Sequence, residues 1–302
     1  VTPGRAMGDG AMTHSFSRRD FFKGVAMGAG AVAVLGARAA EKPIQGFDET
    51  SAGKLKAEAW KAVSDRKVKV GIAGYGVCKF GGAFGFQDHP NVEVVAVTDL
   101  FPDRCAELAK VTGAKRTYAS CEEMFDKDKE IEAVFIATDA PSHARLCIAG
   151  LKRGLNMASA VPAVFGDSQL ELADELIATV KKTGKIYAMF ETSSFHEDNY
   201  AMHQIYKAGG FGKLVYSEGE YYHYSLEGIA SYKDWRLGAP PQYYPTHSNA
   251  YYTCVTLGAF TSVTCLGMPS LLAKFQPDAN VYKNPFATEI ALFRTAEGGM
   301  SR

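Results

Sequence analysis

The chain has 302 residues, 47% of them hydrophobic and 22% charged, enough for two packed domains and the make-up of an ordinary globular protein rather than a disordered or fibrous one. Thirty-three basic residues balance 33 acidic ones for a formal net charge of zero. No run of like charge stands out, so the electrostatic footprint of a nucleic-acid or anionic-membrane binder is excluded. The six cysteines (Cys78, Cys105, Cys121, Cys147, Cys254 and Cys265) form no C-x-x-C pair and no zinc spacing with histidine. Buried free thiols are expected, with neither a structural metal nor a disulfide framework.

In chain order, Ser17-Arg18-Arg19-Asp20-Phe21-Phe22-Lys23 resembles a twin-arginine export signal, two adjacent arginines followed by bulky apolar residues. The apolar run from Gly24 to Ala37 is too short to span a bilayer as a helix, and Ala37-Arg38-Ala39 has the small-x-small form of a cleavage site. Cleavage after Ala39 is expected, with Met12 standing where such a signal usually begins. The expected boundaries are a signal segment over 1–39, a polar linker over 40–66, a nucleotide-binding domain over 67–190 and an incomplete substrate and oligomerisation domain over 191–302. The resemblance implies export in the folded state to a periplasmic or extracellular location, a route suited to enzymes that acquire a cofactor first. No membrane span is expected in the mature protein.

After the linker, short apolar runs alternate with helical patterns, the signature of βαβ units and a doubly wound parallel sheet of Rossmann type. The predicted strands are Val68 to Ala73, Val92 to Val97, Val134 to Thr138, Asn156 to Ser159 and Lys185 to Phe190. Asp139 and Pro141 start a helix that stops near Gly154, and Ser168 with Glu171 reads as a capping box for a helix that stops at Gly184.

The first strand runs into Gly71-Ile72-Ala73-Gly74-Tyr75-Gly76. Side-chain-free backbone at Gly74 and Gly76, flanking Tyr75, lets a dinucleotide pyrophosphate approach a helix start. Position 79, where the strict G-x-G-x-x-G pattern has its third glycine, is lysine, although Gly81 and Gly82 follow. Asp99 at the end of the second strand supplies the carboxylate that accepts both adenosine ribose hydroxyls. It would repel a 2′-phosphate, which favours NAD over NADP. Arg104 is placed to reach the adenine face or to stand in solvent.

Gly74-Tyr75-Gly76, Asp99, Ile136-Ala137-Thr138 followed by His143, and the turn at Val161-Pro162 together resemble the Gfo/Idh/MocA oxidoreductase family, from about Val68 to Arg302. The resemblance implies a second α/β domain on a mostly antiparallel open sheet whose face carries the substrate over the nicotinamide. It also implies a homo-oligomer when the chain is full length. Lys213 to Tyr224 reads as the first strand of that sheet and Ala287 to Arg294 as another, and a truncated C-terminus is expected. Thr138, His143, Val161 and Pro162 then join Gly74, Tyr75, Gly76, Asp99 and Arg104 as cofactor-binding candidates.

The chain departs from the family's dehydrogenases at the fifth-strand turn, where their Glu-Lys-Pro is replaced by Ala160-Val161-Pro162; valine neither moves a proton nor donates a hydrogen bond. The family's later aspartate and histidine fall on His247 and Tyr251. Tyr244-Pro245-Thr246-His247 and Glu220-Tyr221-Tyr222-His223 are similar to glycoside hydrolase family 109, α-N-acetylgalactosaminidases in which NAD is recycled. His247 is the first choice of general base, since an imidazole pKa near about 6.5 suits neutral pH, with Tyr244, Tyr221 or His223 orienting substrate or relaying the proton. Tyr222, Tyr224, Tyr243, Tyr251 and Tyr252 form an aromatic neighbourhood that lines a sugar pocket or belongs to the core. The expected function is NAD-dependent hydride transfer from a sugar hydroxyl. The alternatives are an NAD-recycling glycosidase and a non-catalytic NAD-binding protein.

Overall fold

A computed structural model describes residues 60–76, 78–223 and 229–302. The export signal, residues 40–59 of the expected linker, and Tyr224 lie outside the described residues. Residues 60–66, read from sequence as linker, are tied down by one buried side chain. Asn91 accepts from the Val63 amide at 2.8 Å and donates to the Ser64 and Arg66 carbonyls, each at 2.7 Å, while Trp60 packs on His89.

The first sheet contains β1 (Val68–Ala73), β2 (Val92–Thr98), β3 (Arg116–Tyr118), β4 (Ala133–Ile136), β5 (Asn156–Ala160) and β6 (Tyr187–Phe190). All neighbours are parallel, in the order β3-β2-β1-β4-β5-β6. Five of these strands are legible as apolar runs. The sixth, β3, is not: it has three residues, none of them aliphatic, and follows β2 into the sheet edge. Ala137 and Thr138, expected inside the fourth strand, leave the sheet after Ile136, although the Ala137 amide still donates to Ala73. The helices between strands are α1 (Phe80–Ala83), α2 (Pro102–Thr112), α3 (Cys121–Lys127), α4 (His143–Lys152) and α5 (Leu170–Thr183).

Helix ends differ from expectation for local reasons. The capping box read at Ser168 and Glu171 does not form: Ser168 lies in a 3-10 turn, and the residue before α5, Gln169, makes no side-chain cap bond. The α5 C-terminus matches its signal, with Gly184 left-handed at φ 64°. A reciprocal cap forms instead at α3, where Ser120 Oγ accepts from the Glu123 amide and Glu123 Oε2 accepts from the Ala119 amide. Such a cap is worth about 1 kcal/mol.

Alternate residues of β4 enter different clusters. Val134 and Ile136 pack with Met124, Leu146 and Leu151 on one side, and Phe135 with Ile72, Val97 and Leu108 on the other. That period of two is why the strand reads as unbroken apolar sequence, since both faces are covered. Each such side chain contributes about 1.5–3 kcal/mol on burial.

After β6 come α6 (Glu197–Lys207), β7 (Tyr216–Ser217), α7 (Thr246–Thr256), β8 (Phe260–Pro269), β9 (Phe286–Thr295) and β10 (Met300–Ser301). They build a second sheet in the order β7-β10-β9-β8, antiparallel except for the parallel β7–β10 pair. The strand expected over Lys213 to Tyr224 is Tyr216–Ser217, paired with β10. Beyond Ser217, Glu218 and Glu220 turn their carboxylates to Arg302. β9 contains the expected Ala287 to Arg294. β8 escaped the sequence reading because its residues mix small, polar and apolar types with no buried face. Among the described residues no helix is long and apolar enough to cross a membrane. Cys105, Cys121 and Cys147 are buried free thiols as expected, whereas Cys78 and Cys265 are exposed.

Candidate active site

The sheet order reverses between β1 and β4, and the crevice outside the carboxyl ends of those strands is where open α/β sheets take ligands. Gly74 turns the chain there at φ +100°, and a Cβ on it would stand 2.4 Å from the Ala137 carbonyl oxygen. Gly76 faces open space, with nothing within 4 Å of a Cβ position. Gly81 supplies the close packing that the strict pattern gives to a third glycine: its Cβ would meet the Gly74 carbonyl oxygen at 2.4 Å. The packing that the pattern gives to its last glycine is thus met by a displaced one, with Lys79 in left-handed backbone at φ 49° between. α1 has four residues, so the anion site rests on loop amides rather than on a long helix dipole.

Asp99 does more than wait for a ribose. Its Oδ2 accepts from the Tyr75 amide at 2.7 Å and its Oδ1 from the Phe101 amide at 2.9 Å, fastening the glycine turn to the end of β2. Each oxygen keeps a lone pair for a hydroxyl. Tyr75, expected at the cofactor, does not line the cleft: its ring is buried in the core with Cys105 and Leu108 of α2. Arg104 lines the cleft and lays its guanidinium 4.4 Å from the centre of the Phe101 ring. The cleft, about 400 Å³, continues past Thr138 to Ala160 and Val161.

Thr138 hydrogen-bonds Ser142 at 2.7 Å. His143 is almost wholly buried, with Nδ1 2.9 Å from the Pro162 carbonyl and Nε2 3.2 Å from the Thr138 carbonyl. Burial lowers its pKa, against the opposing pull of those carbonyls, and the ring stands between the turn after β4 and the cis Val161-Pro162 turn after β5. Val161 lines the cleft, whereas Pro162, expected there with it, does not and meets His143 through its carbonyl.

A second cavity of about 480 Å³ lies against β9, with Tyr221, Tyr222, Trp235, Tyr244 and Phe286 in its walls. It meets the nucleotide cleft at Ile229, Trp235, Arg236 and Tyr244, which line both. Tyr244, in the Tyr-Pro-Thr-His segment, therefore sits where a substrate over the cleft would be reached. His247 does not line either cavity. It is the second residue of α7, buried, its Nδ1 2.6 Å from Glu191 Oε1 and its Nε2 3.4 Å from the Tyr244 hydroxyl. The Tyr221 ring packs 4.3 Å from the His247 ring, and the Tyr221 hydroxyl hydrogen-bonds His223 Nε2 at 2.8 Å. All four residues expected to carry chemistry are thus together, with His247 behind Tyr244.

Glu191 was not found from sequence, although it follows the last residue of the last parallel strand, a position with a functional prior of its own. It is buried and also accepts the Ser193 amide at 2.9 Å; its Oε2 has no hydrogen-bond partner among the described residues. Burial alone would raise its pKa, but the His247 and Ser193 hydrogen bonds outweigh it and the net shift is downward. An ionised Glu191 holds the Nδ1 proton of His247 and leaves Nε2 as the acceptor for Tyr244. Burial raises the Tyr244 and Tyr221 hydroxyl pKa values. It lowers that of His223, helped by the Arg236 and His247 charges. Arg236 had no signal in the sequence. Of the other tyrosines, Tyr252 is core and bonds Glu297, Tyr243 bonds Asp167, and Tyr251 packs at Gly219.

The depressed pKa of Glu191 makes a stability prediction. A carboxyl held below its ordinary value of 4.5 stabilises the fold fully above that pH, and the contribution disappears as pH falls through the folded-state value. Urea midpoints measured from neutrality to pH 3 should therefore fall less steeply for Glu191→Gln than for the parent. Parallel curves would refute an ionised Glu191 in the fold.

Residues 68–191 match the model of an oxidoreductase family with an NAD-binding Rossmann fold, Gfo/Idh/MocA. A glycosyl hydrolase family 109 protein of Bacteroides fragilis is 29% identical over 180 residues, 56% of this chain and 38% of that protein. A family 109 protein of Saccharopolyspora erythraea is 24% identical over 256 residues, 80% of this chain and 55% of that one. The chain thus spans well under two thirds of the length of these relatives. Among solved structures, myo-inositol 2-dehydrogenase from Lactobacillus plantarum aligns with a TM-score of 0.64 at 18% identity, covering 78% of this chain and 68% of that one. Scyllo-inositol dehydrogenase from Lactobacillus casei, with NAD(H) and scyllo-inositol bound, gives 0.61 at 15% identity, covering 78% and 68%. At such identities the likeness is one of fold.

Proposed function

Because this chain belongs to the Gfo/Idh/MocA oxidoreductase family, we propose that it oxidises a hydroxyl of a sugar or sugar-like polyol with NAD. The observation that carries the reading is the meeting of two cavities at Tyr244, backed by His247 and Glu191. The residues fit a dinucleotide: Gly76 leaves space for the pyrophosphate, Asp99 offers two lone pairs to a ribose diol and no cation for a 2′-phosphate, and Val161 bounds the far end. Bound there, NAD supplies the hydride acceptor.

The chain's own groups handle the proton. Tyr244 accepts the substrate hydroxyl proton as its own passes to His247 Nε2, and the resulting imidazolium is stabilised by Glu191 across 2.6 Å. A phenol with a raised pKa is a poor base alone, so the imidazole behind it is required. Tyr221 and His223, lining the same cavity beside His247, orient the substrate, and Trp235 offers an apolar face to a sugar ring.

A second reading is favoured by Val161, which removes the usual lysine, and by the Tyr244-Pro245-Thr246-His247 segment on the cavity wall. In an NAD-recycling glycosidase the carbon-3 hydroxyl is oxidised, the acidified carbon-2 proton is removed, the leaving group is eliminated, water adds and the hydride returns. The same relay serves both schemes. Export through the twin-arginine route would carry the folded, loaded protein out of the cytoplasm.

The test is to purify the full-length protein, determine whether NAD accompanies it, and offer polyols, sugars and aryl glycosides while following reduced nicotinamide and aryl alcohol. Reduced cofactor without aryl release supports the dehydrogenase. Aryl release without net reduction supports the glycosidase, and silence across the panel overturns both in favour of a binding protein.

A further inference from the structure

The nucleotide cleft is not made by the Rossmann half alone. Residues 229–236, contributed by the chain after β7, form its opposite wall, with Ser231, Tyr232, Lys233 and Arg236 among the lining side chains. Tyr232 meets Phe101, two residues from Asp99, in an edge-to-face contact with ring centres 6.0 Å apart. Arg236 lies between the Trp235 and Tyr244 rings, 5.6 and 5.4 Å from their centres. The segment is thus fastened by aromatic contacts at both ends of the cleft, the adenosine end and the end where chemistry is placed.

Lys233 and Asp234, neither of them glycine, are consecutive left-handed residues, each at φ 52°. Such conformations persist where surrounding structure over-determines them, and they concentrate at ligand clamps. Here they place Lys233 on the cleft wall, its ammonium 5.2 Å from the centre of the Tyr232 ring. The glycine turn opposite leads into a helix of one turn, and its nearest cation, Lys79, is paired with Glu107. The far wall thus adds Lys233 and Arg236 to the Lys79 and Arg104 that line the cleft from the Rossmann side.

We propose that residues 231–236 are a clamp across the dinucleotide, fastened by Tyr232 on Phe101 and bringing Lys233 to the cleft wall, which slows release of the cofactor. The inference rests on the nicotinamide reading of the cleft.

Dissociation is the readout. Full-length protein loaded with NADH and chased with excess NAD, followed by nicotinamide fluorescence, gives a release rate independent of any substrate. Tyr232→Ala should release about two- to tenfold faster, the factor to which an edge-to-face aromatic pair ordinarily corresponds. Lys233→Gly should speed release as well and make it less sensitive to salt, despite relaxing the backbone. Phe101→Ala tests the same contact from the other wall, so a folding failure of one variant does not decide the matter. Release rates equal to the parent's in folded variants overturn the clamp while leaving the NAD reading in place. Absence of NAD(H) binding by the parent protein overturns both.

Discussion

Replacing Tyr244 with phenylalanine is expected to lower turnover by about 10²- to 10⁴-fold, the range for losing a positioned acid–base group, with NADH still bound as tightly as in the parent. The ring and its packing under Arg236 remain; only the hydroxyl 3.4 Å from His247 Nε2 is lost. His247→Ala should also abolish turnover and leave the cofactor bound, because His247 lines neither cavity and acts through Tyr244. The two variants separate in combination. If the hydroxyl and the imidazole work as one relay, the double variant is no slower than either single one. Multiplicative losses would mean two independent roles, and normal turnover by Tyr244→Phe would remove it from the chemistry.

The relay also shows what the sequence could and could not reveal. Gly74, Gly76 and Asp99 are legible because each answers a local demand: a turn with no room for Cβ, open space, and a carboxylate at a strand end. Tyr244, Tyr221, His223 and His247 are legible through their motifs. Their order of action is not, because it depends on α7 turning His247 inward while leaving Tyr244 at the junction of two cavities. Glu191 meets His247 across 56 positions of sequence, a pairing that no periodicity encodes. The second sheet was the least legible element. Strand pairing there joins segments far apart in sequence, Tyr216 to Met300 and Phe260 to Thr295, which alternation within one segment does not encode.

The glycine turn provides the other large effect, because Gly74 and Gly76 are only two positions apart and differ in what an added methyl would meet. Gly74→Ala puts Cβ 2.4 Å from the Ala137 carbonyl oxygen and 2.8 Å from the Thr138 amide nitrogen, both backbone atoms, at φ +100°. The left-handed strain alone costs about 1–3 kcal/mol, and relief of the clash must move either the glycine turn or the end of β4. This variant should melt well below the parent, by about 2–4 °C per kcal/mol for a domain of this size, and lose NAD binding with its fold. Gly76→Ala meets nothing within 4 Å, so its melting temperature without cofactor should match the parent's. The methyl nevertheless fills space reserved for the pyrophosphate, and the stabilisation that saturating NAD gives the parent should largely vanish. Thermal melts with and without NAD measure both quantities at once. If Gly76→Ala is stabilised by NAD as strongly as the parent, the pyrophosphate does not pass over Gly76; if Gly74→Ala melts normally, the turn has slack that its 2.4 Å contact denies.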